Sequence, residues 1–179
     1  MALDATLGGT SANSYVTVAE ADDYFSTSFG RTSWSSTISD NKEIVLIEST
    51  RLLDLLVSWK GYVKSDTQAL RWPRTYVPNI DGPYNGVDTV IESYISDSIV
   101  PKDVKNAVFE LAYSLLSNGG FQSSENELSK VQVGPVSIDF SETVKSNGLP
   151  KIVRDMIARW GEYTVGSSNS VHTVGLLRT

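Results

Sequence analysis

Ser39-Asp-Asn-Lys-Glu-Ile-Val-Leu-Ile-Glu-Ser-Thr-Arg-Leu-Leu-Asp-Leu-Leu-Val-Ser-Trp-Lys-Gly61 is the stretch that sets the fold class. Ile44, Ile47, Leu52, Leu55, Leu56 and Trp59 recur at helical spacing, so one apolar face is expected to run from a cap at Ser39 or Asp40 to a stop at Gly61. A helix with one apolar stripe needs partners to cover it.

The flanking sequence supplies them. Thr17 and Glu20 form a T-x-x-E capping box, which predicts a shorter helix from about Val18 to Phe29, with Ala21, Tyr24 and Phe25 facing inward and Gly30 as its stop. Pro101 suits the first position of a third helix, whose face is Val104, Val108, Leu111, Ala112 and Leu115, ending at Asn118-Gly-Gly120. Leu149-Pro150 opens a fourth, with Ile152, Val153, Met156, Ile157 and Trp160 apolar and Gly161 near its end. Lys130-Val-Gln-Val-Gly-Pro-Val-Ser-Ile-Asp-Phe140 alternates on both sides of Gly134-Pro135, which predicts a β-hairpin. Pro78, Asp81-Gly-Pro83 and Asn85-Gly86 make residues 74–100 an irregular excursion, with a short strand or a turn of helix near Val90 to Ile95. The fold expected is mainly α: a four-helix domain over residues 1–163 with one β-hairpin, an extended N-terminal arm and an extended C-terminal tail at 164–179.

Composition narrows the function. At 179 residues with 40% hydrophobic and 20% charged side chains, one well-buried core is expected. No apolar run reaches the roughly 18 residues that span a bilayer, and the N-terminus lacks the pattern of a secretion signal, so a soluble chain made in the cytoplasm is expected, with no membrane partner. Without cysteine there is no disulfide, no thiolate nucleophile and no sulfur ligand for zinc. A net charge of −6 at pH 7 opposes a protein whose main task is gripping phosphates. The charge is also blocked: residues 59–76 carry Lys60, Lys64, Arg71 and Arg74 against Asp66, while in 1–30 and 77–100 every charged residue is acidic. Such blocks either face solvent or pair one subunit with the next.

Catalytic chemistry is sparse. His172 is the only imidazole and lies in the expected tail, where nothing would hold a general base within about 3 Å of a nucleophile. No catalytic residue, cofactor or metal is expected. Glu20, Asp22 and Asp23 are explained by the positive end of a helix dipole. Asp139 and Glu142 read as solvent-facing charges, and Gly8-Gly9-Thr10-Ser11 as a flexible N-terminal segment without the lysine of a P-loop. Trp59-Lys-Gly-Tyr-Val-Lys64 and Arg71-Trp-Pro-Arg-Thr-Tyr76 interleave rings with cations, as single-strand binders do. Lys60, Lys64, Arg71, Trp72 and Arg74 are therefore candidates for subunit or DNA contact, weighed against a structural role in which Trp59 and Trp72 are core and the arginines fix loops.

Gly9-Thr-Ser-Ala-Asn-Ser-Tyr-Val-Thr-Val-Ala-Glu-Ala-Asp-Asp-Tyr-Phe25, Ala69-Leu-Arg-Trp-Pro-Arg-Thr75, Trp59-Lys-Gly61, Ile99-Val-Pro-Lys-Asp-Val-Lys105 with Glu110-Leu-Ala112, the 130–140 hairpin and Leu149-Pro-Lys-Ile-Val153 follow one another in an order that resembles the bacteriophage proteins labelled "DnaT-like". The resemblance implies a head-to-tail adaptor of a tailed phage: a virion protein of the neck, forming a homo-oligomeric ring, commonly of twelve copies, beneath the portal. Its implied partners are the portal protein and a tail or tail-completion protein, with double-stranded DNA crossing the lumen without specific binding. The label itself implies instead a single-stranded DNA-binding protein, and a tail-completion protein is a third alternative. The family brings no catalytic residues. For the adaptor, the tail from about Ser167 suits docking on the portal, with Val171, Val174, Leu176 and Leu177 as apolar anchors and Arg178 for an acidic partner.

Overall fold

A computed structural model describes residues 2–79, 94–120, 130–133, 136–139 and 148–164. Within them the chain is largely helical, with five helices and three two-stranded antiparallel sheets.

The first helix, α1 (Val18–Ser26), begins at the anticipated capping box. Thr17 N donates to Glu20 Oε2 at 2.8 Å, and Glu20 N donates to Thr17 Oγ1 at 3.2 Å. It stops short of Phe29. Ser26, Thr27 and Ser28 turn their hydroxyls back onto the carbonyls of Asp23 and Tyr24, a local alternative to further helix hydrogen bonding. Phe29 is left in solvent, and Gly30 turns at φ +76° into a one-turn helix, α2 (Thr32–Ser35), that periodicity does not reveal. Its purpose in the fold is Trp34, buried with its ring centroid 4.7 Å from that of Phe25.

The long helix α3 (Ser39–Leu56) differs from expectation at both ends and in its facing. Ile38 is the N-cap residue and no side chain caps the helix. At the other end Val57 leaves helical geometry at φ −117°, ψ 126° and opens a strand, β1 (Val57–Trp59), so Trp59 belongs to a sheet rather than to the helix. The buried face is Val45, Leu46, Ile47, Ser49, Thr50, Leu52, Leu53 and Leu56, whereas Ile44 and Leu55 point to solvent, Leu55 at 72% exposure. The cause lies in two apolar clusters, Ile44 to Ile47 and Leu52, Leu53, Leu55 and Leu56 around Asp54, that can supply either of two adjacent faces. Ser49 and Thr50 are tolerated on the buried face because they donate to the carbonyls of Val45 and Leu46 at 2.7 and 3.0 Å, which reduces the cost of burying their hydroxyls.

Gly61 has a different task from ending a helix. At φ +71° it reverses the chain between β1 and β2 (Tyr62–Val63), and a Cβ there would overlap the Thr75 carbonyl and stand 2.8 Å from Val77 Cγ2. β2 pairs with β3 (Arg74–Thr75), Tyr62 opposite Thr75 and Val63 opposite Arg74. The excursion past Thr75 is irregular where described, with an isolated bridge between Pro78 and Tyr94; residues 80–93 lie outside the described residues.

α4 (Lys102–Asn118) matches its sequence pattern closely. It starts one residue after Pro101, buries Val104, Val108, Leu111, Ala112 and Leu115, and closes with Gly119 left-handed at φ 72°. It is the centre of the domain, packing against α3 and α5 and touching α1 and α2. The hairpin is present as β4 (Lys130–Val133) and β5 (Val136–Asp139), in register from Lys130–Asp139 to Val133–Val136. α5 (Lys151–Ile157) buries Val153 and Ile157, half-buries Met156 and Trp160, and leaves Ile152 exposed. Gly161 sits in β6 (Gly161–Tyr163) opposite Trp59, where the Ser58 carbonyl would lie 2.7 Å from any Cβ.

Residues 2–16 are no free arm. Asp4 O accepts from Asn13 N and Ser14 N, Gly9 O accepts from Ala69 N at 3.1 Å, and Ala12, Tyr15 and Val16 are buried. The expected C-terminal tail lies outside the described residues beyond Thr164.

Candidate nucleic-acid interface

The cation and aromatic segment 59–76 divides into two populations. Trp72 is 1% exposed and Arg74 7% exposed, so neither can meet a base or a phosphate. Trp59, Trp72 and Trp160 stack edge to face, with centroids 5.8 and 6.3 Å apart, and the Trp72–Pro73 peptide is cis. Arg74 spends its guanidinium on main-chain carbonyls: Lys60 at 2.7 Å, Gly61 at 2.6 Å, Arg71 at 3.1 Å and Trp59 at 3.3 Å. The planar fork of arginine suits this knot of converging loop carbonyls.

Beneath the knot lies a polar network. Asp54 accepts from Tyr15 Oη, from Trp59 Nε1 at 3.2 Å and from Arg71 N at 3.0 Å, while Tyr15 Oη accepts from Trp72 N at 3.2 Å. Burial raises the Asp54 carboxyl above its ordinary value even against these donors, and burial together with Asp54 raises the Tyr15 hydroxyl further still. The network locks the Ala69 to Thr75 loop onto α3. That is a structural task.

The remaining candidates are surface residues. Lys60 Nζ donates to Arg159 O at 3.0 Å, Lys64 pairs with Asp97 at 3.1 Å, and the Arg71 side chain is exposed. Beside them runs a row of tyrosines that the cation pattern does not single out. Tyr62 and Tyr76 are 72% and 64% exposed, with rings edge to face at 6.3 Å, and Tyr94 stands 5.4 Å from Tyr76. Tyr76 holds its place in the left-handed region at φ 56°, a conformation uncommon for a side chain of its size. Both Tyr62 and Tyr76 are in the strings quoted above, but their exposure follows only from the β2–β3 pairing. Tyr94 carries no sequence signal at all.

Other charged groups serve the fold. Glu110 is buried and held by Arg31 at 2.6 Å and by Tyr24 Oη at 2.9 Å; burial and the Glu110 carboxylate push the Tyr24 hydroxyl up to about 12. Glu20 pairs with Lys105 at 2.7 Å, and Asp22 with Lys42 and Trp34 Nε1, each at 2.8 Å. Burial works to raise both carboxyls, yet the hydrogen bonds from Lys105 and Thr17 on Glu20, and from Lys42 and Trp34 on Asp22, bring them below their ordinary 4.5 and 3.8. A depressed carboxyl stabilises the fold above its unfolded pKa and loses that contribution as pH falls through the folded value. Urea titrations should therefore show stability declining as pH drops below about 4, with a shallower decline when Lys42 and Lys105 are both changed to Met. Equal slopes in the two proteins would remove these pairs from the account. Among the described residues no group of three or more His, Asp or Glu side chains converges as a metal site, and no helix is long and apolar enough to cross a membrane. Val171, Val174, Leu176, Leu177 and Arg178, together with His172 and Glu142, lie outside the described residues.

A small acidic helical domain that buries Trp34, Trp59 and Trp72 and whose surface carries a tyrosine row is the class this geometry defines. The chain belongs to the family described as "Putative DnaT-like ssDNA binding protein", whose model matches residues 1–178. No curated protein and no solved structure matches it.

Proposed function

We propose that this protein is a structural subunit of a tailed-phage neck, a head-to-tail adaptor that assembles as a ring beneath the portal and lines part of the DNA conduit. The observation that carries the proposal is the fate of segment 59–76: its most distinctive residues, Trp59, Trp72 and Arg74, are committed inside the fold. A chain of net charge −6 in which Arg31, Lys42, Lys64, Arg74 and Lys105 are committed to carboxylates or carbonyls suits a passage that DNA must cross without being held. Exposed apolar side chains supply what an assembling subunit needs. Ile44 and Leu55 share one stripe of α3 with Glu48 and Arg51, and Ile38 and Phe29 are also in solvent.

The second reading is single-stranded DNA binding. The family description supports it, and so does the row Tyr62, Tyr76 and Tyr94, since exposed rings are the stacking element of sequence-tolerant single-strand binders. One pair of measurements separates the two. Co-expressed with portal, the chain should co-sediment as a ring on portal particles, while alone it sediments as a monomer. Oligo-dT titrations at physiological salt should yield dissociation constants at or above roughly 10⁻⁶ M. Absence of portal binding, together with tight, salt-sensitive oligonucleotide binding that disappears in Tyr62→Ala/Tyr76→Ala, would establish the second reading instead.

A further inference from the structure

The solvent side of α3 is a single stripe. Ile44, Glu48, Arg51 and Leu55 follow one another at spacings of four, three and four residues, which keeps them within a narrow arc of the helix. Ile44 and Leu55 are mostly exposed, and the side chains of Glu48 and Arg51 between them also reach solvent. The outer face of a surface helix is ordinarily polar throughout, whereas this one has an aliphatic residue at each end.

The order of the four residues says what covers them. The midpoint between Ile44 and Leu55, at the peptide joining Ser49 to Thr50, is also the midpoint between Glu48 and Arg51. Turning the helix end over end about that point lays Leu55 where Ile44 stood and Arg51 where Glu48 stood. The stripe is therefore complementary to its own antiparallel copy, with aliphatic against aliphatic and carboxylate against guanidinium. A parallel copy in register would set Glu48 on Glu48 and Arg51 on Arg51.

We infer that α3 pairs with α3 of a second copy of this chain, antiparallel across a two-fold axis beside the Ser49–Thr50 peptide, with Ile44 against the partner's Leu55 and Glu48 against the partner's Arg51. Little has to be given up. In the single chain Glu48 and Arg51 bridge each other at 2.7 Å, an exposed pair of small worth that exchanges readily for the bond across the axis. Beside Leu55 an open cleft of about 630 Å³ runs between α3 and the loop 63–71, with Ile47, Val63 and Leu70 in its lining, so the partner's Ile44 arrives at an apolar mouth. With two aliphatic side chains from each protomer the patch lies at the weak end of protein interfaces, and the pairing belongs to concentrated protein while the dilute chain stays monomeric. A two-fold contact is also closed and does not propagate into a ring. The neck reading needs other surfaces for that, and the pairing holds with or without it.

A chain without cysteine makes the test direct. Ile44→Cys and Leu55→Cys proteins, mixed in equal amounts at high concentration under mild oxidation, should form the mixed disulfide at least tenfold faster than either links to its own kind. In the antiparallel pair residues 44 and 55 face each other. The two copies of residue 44 stand about 16 Å apart along the helix axis, beyond the roughly 7 Å limit between bridged Cα atoms. Adding Glu48→Arg to both proteins sets cation against cation across the axis and should bring the mixed rate down to that of the like pairs; adding Arg51→Glu as well should restore it. All four positions lie on the solvent side of α3, so these changes leave the core as it is. Equal rates for mixed and like pairs would overturn the inference. So would a mixed rate that ignores the charge reversal, or faster linkage of residue 44 to its own copy, the sign of another register or of parallel helices.

Discussion

Arg74→Ala should cost the fold at least about 3 kcal/mol, because hydrogen bonds to a charged group contribute about 1.5 to 3 kcal/mol each and Arg74 makes two short ones, to Lys60 O and Gly61 O, besides two longer ones. Removing the guanidinium leaves the part-buried carbonyls of Lys60 and Gly61 and the buried one of Trp59 without this donor. Arg74→Lys should recover only part of the loss, since an ammonium cannot present the fork that serves several carbonyls at once. Urea unfolding of the three proteins measures this directly, and amide exchange should report the loosening first at residues 59–63 and 72–75. Since a domain of this size holds about 5 to 15 kcal/mol in total, the alanine variant should be conspicuously marginal. A loss below about 1 kcal/mol would mean that the carbonyls find other donors and that the knot is incidental.

The facing of α3 gives the second large effect. Leu53 is fully buried, so Leu53→Ala should lose about 2 to 5 kcal/mol through lost transfer energy and the cavity left behind. Leu55→Ala, two residues on, should stay within about half a kcal/mol, as surface changes do. Sequence periodicity alone predicts the large loss at Leu55. The pair therefore discriminates between two rotations of one helix, and a large loss at Leu55 with a small one at Leu53 would show the helix turned the other way.

Several elements were legible because their signals are local. The Thr17 and Glu20 box reads correctly since both partners lie within four residues, and Pro101 with Gly119 brackets α4 because each acts through its own backbone dihedral. The 130–140 hairpin is equally local. The candidate site was legible only as composition. The strings around Trp59 and Trp72 were visible as ring and cation mixtures, but nothing in them distinguishes a tryptophan that stacks on a base from one that packs on Trp160, 88 positions further on in the sequence.

What the sequence determined by itself was the helical class, the ends of α4, the capping of α1 and the presence of the 130–140 hairpin, all decided by contacts or dihedrals spanning a few residues. Only the tertiary structure decided which face of α3 is buried, because its apolar residues can supply either of two adjacent faces and packing against α4 covers one of them. It also decided that Val57 to Trp59 is a strand, since its partner β6 lies about a hundred residues away and no local propensity announces it. The division of segment 59–76 into buried Trp72 and Arg74 and exposed Tyr62 and Tyr76 follows instead from the β2–β3 pairing and the core behind it. Alternation along a strand assigns sides only once its partner and the core behind it are in place.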